Sequence, residues 1–174
     1  MTVRFPEGLR LEPLRRAHRP AAFCSGQPAV DRWLSTMALQ ASGKHLSVTK
    51  ALVDDRADIA GFYTLAPGQV DLGSLPSDLA NGLPRRPLPT AVIAWLGVAV
   101  GFQRTGLAGR LLAAACTDLL AASDALPFVA VCVDCLDVRS RAFFSAFGFV
   151  ALDDAENRLF LPRAALEAAI RSTK

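Results

Sequence analysis

The sequence predicts an α/β fold, and three observations carry that reading. An uninterrupted apolar run, Ala91 to Val100, reads as a buried strand and passes through a glycine-containing loop into an apolar helix, Leu111 to Ala122. Strand-like and helix-like segments alternate along the chain in the order β-α-β-β-loop-β-α-β-α-β-β. No linker, repeat or low-complexity tract interrupts them, and 174 residues suffice for one domain, 1–174, with a substantial core.

Each element has its own signal. Leu9-Arg10-Leu11-Glu12-Pro13-Leu14 alternates as a first strand. Pro28 to Leu39 places Val30, Trp33, Leu34, Met37 and Ala38 at helical spacing, the pattern of an amphipathic helix. Lys50 to Asp54 and Ile59 to Leu65 form two antiparallel strands around the turn Asp55-Arg56-Ala57-Asp58. Pro67 to Pro89 carries five prolines and three glycines and reads as an irregular excursion with a short helix near Ser77 to Asn81. After the central strand–loop–helix, Leu126 to Val133 is another apolar strand. Asp137 fits the N-cap of a helix from Val138 to Phe147, with Gly148 its C-cap. Phe149 to Leu152 and Arg158 to Leu161 make a last strand pair around Asp153-Asp154, and Pro162 starts a helix through Ile170.

Composition narrows the function classes. No run approaches the ~20 apolar residues that span a bilayer, and Met1 to Glu7 lacks a signal peptide's apolar centre. A cytoplasmic protein with no membrane partner is the expectation. The net charge is +3, and the cations are mostly arginine, clustered at Arg10, Arg15, Arg16 and Arg19, at Arg85 and Arg86, and at Arg139 and Arg141. That distribution permits an anionic partner. Cys132 and Cys135 have C-x-x-C spacing, but on a strand residues three apart face opposite sides. With no second such pair and no histidine nearby, structural cysteine and no metal are expected.

The loop from Gln103 to Arg110 holds the most chemistry. A glycine loop between strand and helix aims backbone N–H groups outward at the helix's positive end, which suits a phosphate anion. Arg104 and Arg110 add formal charge. A tight turn with no ligand is the alternative reading of such a loop on its own. The spacing Gln103-x-x-Gly106-x-Ala108 resembles the Gln/Arg-x-x-Gly-x-Gly/Ala signature of the GNAT superfamily of N-acetyltransferases. Ala142-Phe143-Phe144-Ser145-Ala146-Phe147-Gly148-Phe149 resembles that superfamily's A-x-x-F-Y-x-x-x-G-F segment near the acyl-thioester.

This resemblance implies a single-domain GNAT fold. Its sheet is mixed but mostly antiparallel, is flanked by helices, and has an opening where the fourth and fifth strands splay. It implies acetyl-CoA as cosubstrate, with its pyrophosphate on Arg104, Thr105, Gly106, Leu107, Ala108, Gly109 and Arg110. Pantetheine would pair with backbone groups of Leu96, Gly97 and Val98, Gly97 leaving the path unobstructed.

Two further segments resemble a narrower group, the acetylating toxins of toxin–antitoxin pairs. Phe23 to Leu34 is similar to their F-x-x-G/F-x-C-G-x-x-x-L-D-x-W-L opening, and Ile59-Ala60-Gly61-Phe62-Tyr63-Thr64-Leu65 to their V-x-G-Y-Y-x-L strand. This resemblance implies acetylation of the α-amine of aminoacyl-tRNA, which blocks translation. Charged tRNA, a ribbon-helix-helix antitoxin and a second copy of the chain are the partners expected. The Arg clusters would then meet RNA phosphates.

Three positions depart from the toxin pattern. Trp95 stands where the toxins' R-L-A-V-D segment has arginine, Ala108 where glycine is usual, and Phe144 where a catalytic tyrosine is usual. That tyrosine is placed to protonate the departing thiolate, an effect typically worth about 10²–10⁴-fold. A thiol pKa near ~8.5 makes thiolate a tolerable leaving group, so Phe144 implies a slower enzyme. Tyr63, the only tyrosine, is a weak substitute, and a buried tyrosine bonded locally is the other reading. Ser145 points about 100° away around the helix, and Cys135 is a lesser candidate donor. Glu7, Glu12, Glu156 and Glu167 fall outside the centre, so no general base stands out, and His18 and His45 read as surface residues. The alternatives are an acetyltransferase for a protein or small-molecule amine, and a catalytically weakened acyl-CoA binder.

Overall fold

In the computed structural model, residues 3–152 and 155–172 are described. The expected Asp153-Asp154 turn lies outside them. The strands are β1 (Arg10–Pro13), β2 (Val48–Val53), β3 (Ile59–Val70), β4 (Leu88–Val98), β5 (Ala130–Asp134), β6 (Val150–Leu152) and β7 (Ala155–Pro162). The helices are α1 (Pro28–Arg32), α2 (Ala38–Gly43), α3 (Ser77–Ala80), α4 (Leu107–Ala122), α5 (Val138–Ala146) and α6 (Arg163–Ser172). The hydrogen-bonded strand order is β1-β2-β3-β4-β5-β7-β6. Pairing is antiparallel at β1–β2, β2–β3, β5–β7 and β6–β7, and parallel at β4–β5. The fold is therefore α/β with a seven-stranded mixed sheet, as the element order implies.

By internal contacts the chain divides into two compact units. The first comprises Met1–Ala66 and Ile93–Asp118. Its core packs Val30, Leu34 and Ala38 onto Ala51, Val53, Ile59 and Phe62, with Trp33 and Trp95 partly buried against them. Helices α1 and α2 are joined by a π-helical segment, Trp33–Met37, so the single helix read from the sequence is wider at its middle and runs on to Gly43. The local cause is visible: the Arg32 carbonyl accepts from Ser35 Oγ at 3.2 Å and Thr36 Oγ1 at 2.7 Å, which competes with regular helical bonding. Met37, expected on the apolar stripe, is 46% exposed because the wider turn carries it off that face.

The second unit comprises Pro67–Val92 and Leu119–Lys174. Its core gathers Val70, Leu75, Leu88, Ala130, Cys132, Leu152 and Phe160. The excursion is shorter than its prolines suggest, since β3 continues through Pro67 to Val70 and β4 begins at Leu88. Pro67 lies past the last β2–β3 pair, Val48↔Leu65, where its missing N–H breaks no rung to β2. The apolar run from Leu126 enters β5 only at Ala130, and Leu126 itself is 76% exposed. Asp137 caps α5 as expected: its Oδ1 accepts from Ser140 N at 2.7 Å while Ser140 Oγ accepts from Asp137 N at 3.0 Å. Gly148, at φ 87°, closes that helix with Gly148 N donating to Ser145 O and Phe149 N to Phe144 O.

Candidate active site

In the first unit, β4 ends at Val98, one turn of 3-10 helix spans Val100–Phe102, and α4 starts at Leu107. Gln103 braces the connection by spending both amide hydrogens, one on Ser25 O at 2.7 Å and one on Val98 O at 3.0 Å. Thr105 Oγ1 donates to Phe102 O at 2.6 Å, and Arg104 (φ 61°) and Gly106 (φ 79°) both turn through the left-handed region. Arg110 N is the first amide to close on this loop, at 3.3 Å from Gly106 O. The amides of Leu107, Ala108 and Gly109 therefore precede the helix's own bonding and remain available to a ligand. Arg104, Thr105, Gly106 and Arg110 are exposed, and a Cβ added at Gly106 meets nothing within 4 Å. Arg110 is anchored by a 3.0 Å bond to Arg4 O, and neither guanidinium is ion-paired among the described residues. The result is a rigid, electropositive anion cradle at the positive end of a 16-residue helix.

The β4–β5 ladder runs Thr90↔Ala130, Ala91↔Val131 and Val92↔Cys132, and no further rung follows among the described residues. Along Ile93–Val98, β4 therefore carries backbone groups that the parallel ladder leaves unused. Of the groups near the end of β4, Val98 O is taken by Gln103. Gly97 is not the open surface the sequence suggested. A Cβ there would lie 2.7 Å from Phe62 Cε1 and 2.8 Å from Val30 Cγ1, so Gly97 lets β4 press against the core.

Tyr63 is fully buried, and its hydroxyl donates to Asp118 Oδ2 on α4 at 2.6 Å. Lys50 Nζ meets the same oxygen at 2.6 Å. Burial, then the bond and charge of Asp118, push the phenol well above its ordinary range. A proton so held is not delivered to a leaving group, and the candidate role for Tyr63 as substitute acid is withdrawn.

In the second unit, Phe144 is buried within an aromatic cluster. Its ring lies 5.1 Å from Phe143 and 5.5 Å from Phe149, both edge-on, and Phe143 is 5.1 Å from Phe147. Ser145 is exposed. Cys135 is buried, and burial raises its thiol above the ordinary range.

The model of the acetyltransferase (GNAT) family matches residues 11–149. The chain belongs to that family. Among similar proteins, a tRNA-acetylating toxin of Mycobacterium tuberculosis is 32% identical over 131 residues, 74% of this chain and 76% of that protein. A probable toxin TacT of Sinorhizobium fredii is 27% identical over 168 residues, 91% and 93% of the two chains. AtaT complexed with acetyl-methionyl-tRNAfMet superposes with a TM-score of 0.85 at 23% identity, covering 93% of this chain and 99% of that one. AtaTR bound with AcCoA gives 0.83 at 22% identity, covering 94% and 99%.

Seen as a GNAT protein, the chain keeps the loop and the β4 strand and lacks a free phenol in either unit. Sequence reasoning missed Asp118, which stands three and seven residues beyond Ala115 and Leu111, two wholly buried positions of α4. A lone acid on an apolar helical stripe is the signal that could have found it. His18 was expected at the surface and is 3% exposed. Its Nδ1 accepts from Arg15 N at 3.1 Å and its Nε2 lies 2.7 Å from Glu12 Oε1, which satisfies both ring nitrogens and holds the Glu12 carboxyl low. His45 is exposed. Glu167 pairs with Arg163, and the side chain of Glu156 lies outside the described residues. No group of three or more His, Cys, Asp or Glu that could hold a metal occurs among the described residues.

Proposed function

We propose that the chain is an acetyl-CoA-dependent N-acetyltransferase of the toxin type, acting in the cytoplasm on the α-amine of aminoacyl-tRNA. The observation that carries the cofactor half is the braced loop, whose amides and arginines fit a pyrophosphate. The acceptor half rests on the likeness to the named tRNA-acetylating toxin and to the AtaT–tRNA complex. On its β5 side, beyond the last β4–β5 pair, the Ile93–Val98 half of β4 offers backbone groups to pantetheine and, as donors, to the thioester carbonyl. In the transfer, the neutral α-amine attacks the acetyl carbon. A C–N bond forms, the C–S bond breaks, the amine proton passes to solvent and the thiolate of CoA departs. Orientation of the two reactants supplies much of the acceleration.

Arg10 and Arg19 are tied to acids, whereas Arg15, Arg16, Arg85 and Arg86 are exposed and suit RNA phosphates. A ribbon-helix-helix antitoxin and a homodimeric state belong to the same reading. So does a single GNAT domain spanning 1–174. No helix among the described residues is long and apolar enough to cross a membrane. The test is to incubate the purified protein with labelled acetyl-CoA and total charged tRNA. Label on the aminoacyl group supports the reading. Label only on added free amines, or tight CoA binding with no transfer, replaces it with one of the two alternatives.

A further inference from the structure

The chain has two tryptophans, and they are stacked on each other. Trp33 and Trp95 lie with ring centroids 5.3 Å apart and planes 12° from parallel, both partly buried against the core of the first unit. Trp33 opens the π-helical segment, a helical irregularity that recurs at functional sites. Its indole N–H donates to Thr64 Oγ1 at 3.2 Å, and Thr64 Oγ1 shares a 2.9 Å bond with Thr49 Oγ1. Both hydroxyls are buried, so the orientation of Trp33 is fixed from within and its only polar group is spent.

The two faces of the sheet are distinguishable here. Tyr63 and Lys50 point to Asp118 of α4, and a Cβ on Gly61 would strike Leu111 of α4, so these positions face that helix. Thr49, Thr64 and Gly97 face the other way, toward Trp33, Phe62 and Val30. Trp95, two residues before Gly97, is on that second side, about 10 Å along the strand from Val98. The anion cradle belongs to the α4 side. A cosubstrate held there leaves the second side of β4 for the acceptor.

We propose that the Trp33–Trp95 stack is the specificity-determining floor for the acceptor, taking the apolar side chain of the aminoacyl group and disfavouring charged ones. This inference rests on the acetyl-transfer reading above. A large aromatic surface, held in orientation at Trp33 by the bond to Thr64, rewards apolar contact and gives a charged side chain no counter-charge. Trp95 replaces a cation of the toxin pattern, so this chain has an indole where that pattern would offer a charge.

Because no other tryptophan is present, tryptophan emission, excited at the red edge where Tyr63 does not absorb, reports on this stack alone. The full-length protein with CoA is titrated with methionyl-, leucyl-, aspartyl- and lysyl-tRNA and with deacylated tRNA as the absorbance control, and initial rates are measured with labelled acetyl-CoA. The apolar species should change the emission and react with kcat/KM about tenfold or more above the charged ones. Trp95→Arg should bring that ratio toward unity, mainly through KM, with Trp95→Phe retaining most of it. Emission that responds identically to apolar, charged and deacylated species, together with equal rates, overturns the floor while leaving the enzyme reading intact. Selective emission with no transfer to any species overturns the enzyme reading and leaves the floor standing. If Trp95→Arg does not fold, the wild-type ratio and emission still decide.

Discussion

Tyr63 Oη and Asp118 Oδ2 lie 2.6 Å apart, joining β3 to α4 through a phenol with no exposed surface. Lys50, which pairs across the sheet with Tyr63, meets the same carboxylate oxygen. Tyr63 therefore anchors the sheet to the helix whose opposite end forms the anion cradle.

The shift of Tyr63 has a sign that titration can check. Its folded-state pKa is raised, so the stability it contributes is fully present below the unfolded value near ~10 and falls as pH rises beyond it. With one tyrosine in the chain, tyrosinate absorbance is a single-site measurement. The native protein should show no tyrosinate at a pH where the urea-unfolded chain is more than half ionised. Coincident native and unfolded curves would mean the bond to Asp118 does not hold. Asp118→Ala, which leaves the phenol unpaired, should cost about 1–3 kcal/mol in urea unfolding.

Gly97 separates packing from binding. Valine there drives its Cβ toward Phe62 and Val30, so Gly97→Val should lower stability by about 1–3 kcal/mol. The measurement is unfolding of the ligand-free protein; an unchanged midpoint would show that β4 is not pressed against the core. Loss of CoA binding in this variant would follow from the displaced strand and is not a probe of pantetheine contact.

The loop itself is probed at Gly106, where space is open but φ is 79°. A valine must adopt a left-handed conformation that costs roughly 1–2 kcal/mol, or else re-aim the amides that follow. Gly106→Val should thus weaken CoA in calorimetry by about tenfold or more while the domain stays folded. Arg104→Ala and Arg110→Ala, removing exposed charges, should each cost less than about 1 kcal/mol and lose that effect at high salt. Undiminished affinity in all three variants would remove the pyrophosphate from this loop.

What was legible in the sequence was periodic or punctuated. The strand–loop–helix at Gln103, the Asp137 cap and the Gly148 stop follow from local chemistry and stand where expected. What was not legible depended on neighbours distant along the chain. The space around Gly97 is set by Val30 and Phe62, and His18 is buried because Glu12 and a backbone amide satisfy it. The π-helical turn at Trp33 arises from two hydroxyls competing for one carbonyl, and helical spacing alone does not register it. Likewise Pro67 was read as a breaker, although a strand tolerates it beyond the last rung of its partner.

The motif resemblance puts Phe144 where the family has a tyrosine, and Tyr63, the only phenol, has its proton committed to Asp118. Departure of CoA thiolate in the wild type therefore relies on its own stability and on water, and Phe144→Tyr should raise kcat up to the ~10²-fold lower end of general-acid effects. The added hydroxyl enters a cluster whose other rings, Phe143 and Phe149, offer it no acceptor, so its proton is available to a reacting group brought to it. Tyr63→Phe should leave kcat unchanged and cost about 1 kcal/mol of stability, because it removes a buried bond without touching the transfer. The decisive measurement is the rate of wild type and of both variants on the same acetyl-CoA and charged tRNA. A rate that falls with Tyr63→Phe and ignores Phe144→Tyr would return the acid role to Tyr63. A rise with Phe144→Tyr alone fixes position 144 at the departing sulfur and explains the wild type as an enzyme working without its acid.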